Sequence, residues 1–264
     1  MHQIPDRSGE AVSLRWLGLA LAARGAARLS ELVLQRSLRL FAARPHAQGQ
    51  GVVSSFLAQR ALWFGDPTAL SLADRAWELA RSQRQERDFI RAARLQGAAL
   101  GLQDYAKADE RLHHALARAR AVNLAEEELP ALVALAELRR RQGDLKAARD
   151  LLDDVWEPAE RGPYPLFHAD ACNVLAQIER DAGNAAAAVE AATVAYRLAW
   201  RDGEPYAYHW GLVAARKHLA ELGASEPSMP PFDESKYEPM PEVEINPDDE
   251  FHVDESSDGE PQGR

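Results

Sequence analysis

"RRRQGDLKAARDLL", residues 139–152, carries the clearest indication of how this chain folds. It ends one run of alternating apolar and charged residues and opens another, with Gly143-Asp144 between the two runs. The stretch "ERDAGNAAAAVEAA", residues 179–192, repeats this arrangement around Gly183-Asn184, 40 residues further on. A recurrence at this spacing indicates that the chain is built from structural repeats.

Aligning the chain with itself extends the repeat to five copies with a period of 39 or 40 residues. The turn position is occupied in succession by Gly25, Phe64-Gly65, Gln103, Gly143 and Gly183. A small residue follows each turn at the same step, in the order Ser30, Ala69, Ala108, Ala148 and Ala188. Seven residues later come Ser37, Ala76, Ala115, Val155 and Ala195, and between the two positions lie Leu34, Ala73, Leu112, Leu152 and Ala192.

These spacings predict that each unit is a helix, a turn and a second helix. Positions four and seven residues apart share one face of a helix. Small residues on that face let two helices cross closely, and a glycine lets the turn take a positive φ angle. A single hairpin cannot bury its apolar faces, whereas stacked hairpins share them. We therefore predict an all-α fold, an α-α superhelix (solenoid) of about five helical hairpins, which the abundance of alanine and leucine also favours.

Five segments carry a resemblance to a known family. They are "GLALAARGAARLSELVLQRSL" (18–38), "GDPTALSLADRAWEL" (65–79), "QDYAKADERLHHAL" (103–116), "QGDLKAARDLLDDV" (142–155) and "AGNAAAAVEAATVA" (182–195). They resemble the turn and second helix of tetratricopeptide repeats, over residues 12–202. The units are longer than the family's usual length of about 34 residues. The resemblance implies a right-handed superhelix that binds a protein or peptide on its concave face and catalyses no reaction.

The ends of the repeat array are predicted to differ. A further helix over residues 205–222, starting at a proline and stopping before Gly223, should cap a solenoid of residues 12–223. Its inner face should consist of Tyr206, His209, Trp210, Val213, Ala214 and Leu219. Residues 1–11 are predicted to be a lead-in, and no polar helix precedes the first hairpin. We expect either that this uncapped hairpin forms an interface, giving an oligomer, or that the chain has been separated from something longer.

Residues 224–264 change character and form a Pro-rich acidic tail. From Ser225 to Arg264 there are 13 acidic residues, two basic residues and seven prolines. We predict that 246–264 are disordered and that 229–245 dock as an extended strap, because apolar residues interrupt the acidic run. The anchors would be Phe232, Tyr237, Met240, Val243 and Ile245, with Met229 before them. A strap lying in the groove would be autoinhibitory, and deleting residues 225–264 would then raise peptide affinity.

The tail carries a second resemblance. "PPFDESKYEPMPEVEINP", residues 230–247, comes after a helix ending in "ARKHLAELG". It is similar to the segment after the repeats in bacterial signal-transduction ATPases with numerous domains, in which the repeats form the sensor. No G-x-x-x-x-G-K-[ST] motif is present, so the chain offers no phosphate-binding loop. The resemblance implies an alternative function, a detached sensor acting on an ATPase partner encoded nearby.

Composition argues against several other classes. The chain has 31 basic and 41 acidic residues, so the part before the tail has 29 and 28, and this balance disfavours a nucleic-acid partner. The apolar run "WLGLALAA" is far shorter than the roughly 20 residues that span a bilayer, so we expect no membrane segment. One cysteine, Cys172, allows no internal disulfide, which favours a cytoplasmic protein.

We predict neither a cofactor nor an enzyme. His168 and Cys172 are four residues apart and could supply two metal ligands, but no further ligand completes a site, and the favoured interpretation is a core cysteine beside a half-buried histidine. Glu126, Glu127 and Glu128 are interpreted as favourable charges at the positive end of a helix. No nucleophile with a positioned base is visible.

The candidate binding residues lie on the first helices of the fourth and fifth units. Asparagine and glutamine could satisfy a peptide backbone, and arginine the carboxylates of an acidic or C-terminal peptide. An ordinary solvated helix face is the competing interpretation. The predicted peptide-binding residues are Val133, Glu137, Arg140, Arg141, Asn173, Gln177 and Arg180.

Overall fold

The structure is a computed structural model and describes residues 7–43, 46–101 and 103–236. Over these residues it is entirely helical, as the repeat spacing predicts. The helices are α1 (Arg7–Ala23), α2 (Ala27–Ala43), α3 (Ala47–Phe64), α4 (Ala69–Gln83), α5 (Glu86–Leu100), α6 (Tyr105–Ala121), α7 (Ala125–Arg141), α8 (Leu145–Arg161), α9 (Pro165–Asp181), α10 (Ala185–Trp200) and α11 (His209–Glu221). A single 3-10 turn, Glu234–Lys236, follows them.

The helices pack in chain order as a stack of hairpins. Each helix contacts the next, and the odd-numbered helices also contact one another along the stack, from α1 to α11. Five hairpins (α1–α2, α3–α4, α5–α6, α7–α8 and α9–α10) are therefore followed by one unpaired helix, α11. The architecture is the predicted α-α superhelix, in which the odd-numbered helices form the inner layer.

The repeated small and apolar residues lie where the helices meet. Every one of the fifteen aligned positions after the turns is buried, and none is more than 7% exposed. A Cβ on Gly97 of α5 would lie 2.6 Å from Cγ of Leu112 and 3.2 Å from the carbonyl oxygen of Ala108, both on α6. The two helices of this hairpin thus approach too closely for any side chain at that point.

The turns follow the predicted chemistry in four of the five hairpins. Gly143 and Gly183 have φ angles of 83° and 80°, which glycine adopts without strain. In the third hairpin, the turn position holds Gln103 and not a glycine. Its turn instead leads to Asp104, whose carboxylate accepts a hydrogen bond from the Lys107 backbone N–H at 3.1 Å and caps α6.

Two predicted boundaries differ from the structure, and one predicted helix face differs in part. Helix α1 begins at Arg7, inside the predicted lead-in of residues 1–11. The capping helix begins at His209 and not at Pro205, because the backbone first closes a turn in which the Tyr206 N–H bonds to Gly203. The face of α11 that packs on the stack is formed by Leu212, Ala215 and Leu219, while Val213 is exposed.

The superhelix turns far enough for its last helix to meet its first two inner helices. The indole N–H of Trp210 donates to the carbonyl of Ala22 at 2.9 Å. Arg24 Nε donates to the carbonyl of Pro205 at 3.0 Å. The rings of Trp63 and Trp210 lie nearly parallel, with centroids 6.3 Å apart. We call these contacts the closing seam, formed by Ala22, Arg24, Trp63 and Phe64 on one side and Pro205, Tyr206, Tyr208, His209 and Trp210 on the other.

The described part of the tail runs along the outside of the last helices. Trp200 Nε1 donates to the Pro230 carbonyl at 2.9 Å, and the Tyr196 hydroxyl donates to Glu226 at 2.9 Å. Met229 packs against the apolar cluster that α9, α10 and α11 share. The predicted strap of 229–245 thus lies on the outer surface up to residue 236, and its remainder lies outside the described residues, as does the stretch 246–264.

Candidate functional site

The closing seam turns the concave face of the superhelix into an axial cavity. The cavity has a volume of about 890 Å³ and is lined by the inner helices α1, α3, α5, α7, α9 and α11, together with Pro163, Tyr164 and Tyr208 from the connecting segments. This volume is within the range of pockets that enclose small molecules or short peptide segments.

Aromatic rings cover much of the wall of the cavity. Trp16 of α1 and Phe56 of α3 contact each other with centroids 5.1 Å apart. Tyr164 and Phe167 are stacked at 6.1 Å near the start of α9. Trp63, Tyr208 and Trp210 of the closing seam complete the aromatic lining. Such rings offer a ligand a large apolar surface with little rotational freedom to lose.

One side of the cavity carries arginines that are already paired. Arg91 Nε donates to one oxygen of Glu127 at 2.6 Å, and Arg94 Nε donates to the other at 2.9 Å. The Glu127 residue is only 2% exposed. Arg87 pairs in turn with Glu126. We call these five residues the arginine wall; its three positive charges, on α5, face acidic residues in the first turn of α7.

The part of the cavity wall formed by α9 and the segment before α11 presents hydrogen-bond acceptors. Asp170 and Asn173 lie one turn apart on α9 and both line the cavity. The Tyr208 hydroxyl donates to Asp170 Oδ2 at 3.1 Å. Asn173 Nδ2 donates to the carbonyl of Gly211 at 3.0 Å, which fixes the orientation of the amide because a carbonyl can only accept. We call Asp170, Asn173 and Tyr208 the acceptor corner.

Within the described part of the chain, one group of the acceptor corner lacks a hydrogen-bond donor and another lacks a cationic partner. Asn173 is 5% exposed, and its Oδ1 receives no hydrogen bond from any described residue. Asp170 forms no ion pair with the arginines, lysines or histidines of residues 7–43, 46–101 and 103–236. Burial raises the pKa of the Asp170 carboxyl to about 7, against a smaller opposing effect of the Tyr208 hydrogen bond.

The structure divides the predicted peptide-binding residues into two groups. Val133, Glu137 and Asn173 line the cavity. Arg140 and Arg141 both bond to Glu137, with the Arg140 Nε at 2.7 Å and the Arg141 Nε at 2.5 Å. These bonds hold the pKa of the Glu137 carboxyl below its usual value even though its burial acts in the opposite direction.

The remaining predicted residues connect neighbouring helices. Arg140 also pairs with Asp181 of α9, and Arg180 pairs with Glu221 of α11. The Gln177 side chain lies 3.4 Å from Nε2 of His218, also on α11. None of these residues lines the cavity, and the charges of Arg140, Arg141 and Arg180 are balanced by adjacent carboxylates.

Of the predicted tail anchors, the structure describes one. The ring of Phe232 lies against that of Tyr206, with centroids 4.6 Å apart. Tyr237, Met240, Val243 and Ile245 lie outside the described residues. No described residue of the tail lines the cavity.

Sequence reasoning missed Asp170, Tyr208 and the aromatic lining. Asp170 precedes Asn173 by three residues on the first helix of the fifth unit. The two residues share one face of that helix, so the reasoning that identified Asn173 could also have identified Asp170. The repeat spacing did not indicate that Tyr208 would reach Asp170, because Tyr208 lies in the segment before α11, where the helical repeat is interrupted.

His168 and Cys172 lie among packed side chains of the described residues. Within the described ranges no three His, Cys, Asp or Glu side chains are grouped so that they could hold a metal ion. Burial raises the pKa of the Cys172 thiol to about 12 and lowers the pKa of His168. Trp156 lies beside His168, with ring centroids 5.9 Å apart, which agrees with packing roles for both residues.

No protein-family model matches this sequence, and no curated protein is significantly similar to it. Across the described residues, no helix is both long and apolar enough to cross a membrane.

Proposed function

We propose that this protein is a non-catalytic binding module of the tetratricopeptide-like type, which holds a short segment of a partner protein in its axial cavity. One observation carries the proposal. The closing seam converts an open concave face into a partly open cavity of about 890 Å³ lined by aromatic rings. Solenoids of stacked hairpins commonly bind extended ligands along the face that their inner helices present.

The lining supports a peptide over a highly charged ligand. Arg91 and Arg94 both pair with Glu127, and Arg91 also pairs with Asp88, so two carboxylates balance these two positive charges. The aromatic rings would bury apolar side chains, and a small number of polar groups would set the orientation of the peptide. The sequence-based expectation of an acidic peptide depended on unpaired arginines, and each of the predicted arginines has a carboxylate partner.

A detached sensor of a signal-transduction ATPase is the second candidate. The resemblance of the tail to those proteins supports it, and so does the attachment of residues 226–232 to α10 and the loop before α11. In this candidate the cavity would be the sensing site, and the partner would be a separately encoded ATPase. An adjacent reading frame with a phosphate-binding loop would support it.

The proposal is tested by blocking the cavity. A random peptide library displayed on phage would be panned against the full chain, and the enriched peptides measured by calorimetry. Ala134→Phe fills the cavity from α7, whereas Ala117→Phe makes the same change on the exposed face of α6. We expect the first variant to abolish binding and the second to preserve it. Equal binding by both variants, or no enriched peptide, would overturn the proposal.

A further inference from the structure

We propose that the acceptor corner, with the rings of Trp63 and Trp210 beside it, is a binding subsite for an organic ammonium group. The inference rests on the proposed function of the cavity and adds the chemistry of its ligand. The ammonium could belong to a lysine side chain of a bound peptide or to a free primary amine, and the experiment below separates these sources.

The first argument is the unmatched charge of Asp170. Every other carboxylate named above in the cavity wall has an arginine: Glu126 has Arg87, Glu127 has two, and Glu137 has two. Asp170 has only the Tyr208 hydroxyl among the described residues. A carboxyl that faces an apolar cavity is stabilised in its ionised form by a cation, and within the described part of the chain none is paired with it.

The second argument is the unused acceptor of Asn173. Its Nδ2 is bound to Gly211, and its Oδ1 is buried without a donor among the described residues, so an ammonium that entered the corner would supply the missing donor. Side chains three residues apart on a helix have Cβ atoms about 5–6 Å apart. That separation lets one ammonium group donate to both Asp170 and Asn173, since each N–H···O contact spans about 2.8 Å. An ammonium has three donors and no acceptor, which matches a corner that offers acceptors.

The third argument is the aromatic surface next to the carboxyl. The ring of Tyr208 meets Trp63 edge-on at 6.4 Å, and Trp63 is nearly parallel to Trp210. A cation near the face of a tryptophan is attracted by the ring's electrons, and the attraction is larger where water is excluded. The same rings would contact the methylene stem that carries the ammonium, which suits a lysine-like group.

A merely structural role for Asp170 makes a different prediction. If the carboxyl served only to accept the Tyr208 hydrogen bond, a neutral amide would replace it without consequence for binding. Asp170→Asn therefore separates the two roles, because it keeps an acceptor for Tyr208 and removes the charge. Asp153→Asn, on the exposed face of α8, is the matched control.

The experiment measures binding of two ammonium probes and their neutral counterparts to the full chain. The probes are n-butylamine and the peptide acetyl-Gly-Lys-Gly-amide; the counterparts are n-butanol and the same peptide with norleucine in place of lysine. Calorimetry gives the affinities, and far-UV circular dichroism checks that each variant is folded. Preference for the lysine peptide over n-butylamine identifies a peptide source, and the reverse preference identifies a free amine.

We expect each ammonium probe that binds to bind the wild-type chain at least about ten-fold more tightly than its neutral counterpart. Asp170→Asn should remove this difference, and Asp153→Asn should leave it intact. Equal binding of charged and neutral probes to the wild type overturns the inference, even if Asp170→Asn does not fold. So does an ammonium affinity that Asp170→Asn leaves unchanged, or failure of both ammonium probes to bind.

The outcomes also distinguish this inference from the proposed function. If binding of the library peptides is lost in Ala134→Phe but unchanged in Asp170→Asn, peptide binding in the cavity is supported and the ammonium subsite is refuted. Ammonium binding that depends on Asp170, in a chain that enriches no peptide, would sustain the subsite for small amines and refute the peptide-binding function.

Discussion

The arginine wall and the acceptor corner line the same cavity. They differ in whether their carboxylates are paired with cations of the same chain. On the arginine wall, Glu127 receives hydrogen bonds from both Arg91 and Arg94. In the acceptor corner, Asp170 has a phenol as its partner and Asn173 Oδ1 has none among the described residues. A buried charge that is paired within the chain holds helices together, whereas one left unpaired is available to a ligand.

The arginine wall gives the largest predicted effect. Glu127→Ala leaves two arginines beside each other in a half-buried site without their shared carboxylate, so we expect the free energy of unfolding to fall by about 3–5 kcal/mol. Urea denaturation measures this change. Glu157→Ala removes an exposed carboxylate that pairs with Arg161, and should change stability by less than about 1 kcal/mol. A similar small loss for Glu127→Ala would mean that the arginine wall is not a structural element.

The closing seam, which brings the two sides together, gives the next effect. Trp210→Ala removes a ring that contacts Trp63 and Phe64 and the hydrogen bond to Ala22. We expect a loss of about 3 kcal/mol and faster hydrogen exchange in α1 and α3, because these helices would lose their contact with α11. Trp210→Phe keeps an aromatic ring and should lose only about 1 kcal/mol. Unchanged exchange in α1 would contradict the closed form of the superhelix.

A substitution in the acceptor corner, Asp170→Asn, should change the free energy of unfolding by a smaller amount, and should raise it. Because the pKa of Asp170 is raised to about 7, the folded chain keeps this proton at pH values where the unfolded chain, with a carboxyl pKa of about 3.9, has released it. Wild-type stability should therefore fall as the pH rises from about 4 to about 7. The Asp170→Asn variant should not show this fall in stability, because an amide does not titrate in this range. Since the cavity admits solvent, we expect the variant to be more stable by about 2 kcal/mol at pH 8.

Urea denaturation between pH 4 and pH 8 measures this difference. The pKa values of His168 and His218 are lowered by burial, but both histidines titrate in wild type and variant alike, so their contributions cancel in the comparison. The advantage of Asp170→Asn should shrink toward zero near pH 4. A difference that stays constant with pH would show that Asp170 acts through packing and not through its charge.

The smallest change in stability is expected for a residue outside both the arginine wall and the acceptor corner. Arg180→Ala breaks a partly exposed pair with Glu221 and should lower stability by less than about 1 kcal/mol. It should also leave the affinity for n-butylamine unchanged, because Arg180 does not line the cavity. The same calorimetric titration measures this. A marked loss of probe affinity would assign Arg180 to the site, in agreement with the sequence-based prediction of a basic groove.

The fold could be predicted from the sequence to a larger extent than the site. Ser30, Ala108 and Ala188 recur at a helical step after each turn, and such a local pattern reports directly which face is buried. The groove residues were selected by the same reasoning, and Val133, Glu137 and Asn173 do line the cavity. Periodicity gives the direction of a side chain from its own helix, but not the partner that it meets there. Arg140 was therefore predicted to bind a carboxylate of a peptide, although it pairs with Asp181 of the same chain.

The repeating unit is encoded locally in the sequence, since the helices, most of their turns and their buried faces depend on neighbours within one or two hairpins. Closure of the superhelix is instead a property of the whole tertiary structure. Trp210 meets Ala22, 188 residues away in sequence, because each hairpin is rotated slightly relative to the one before it. Closure makes a cavity out of a groove, because it brings the first and last inner helices together. The set of residues that share this cavity thus depends on the accumulated curvature, which no single repeat encodes.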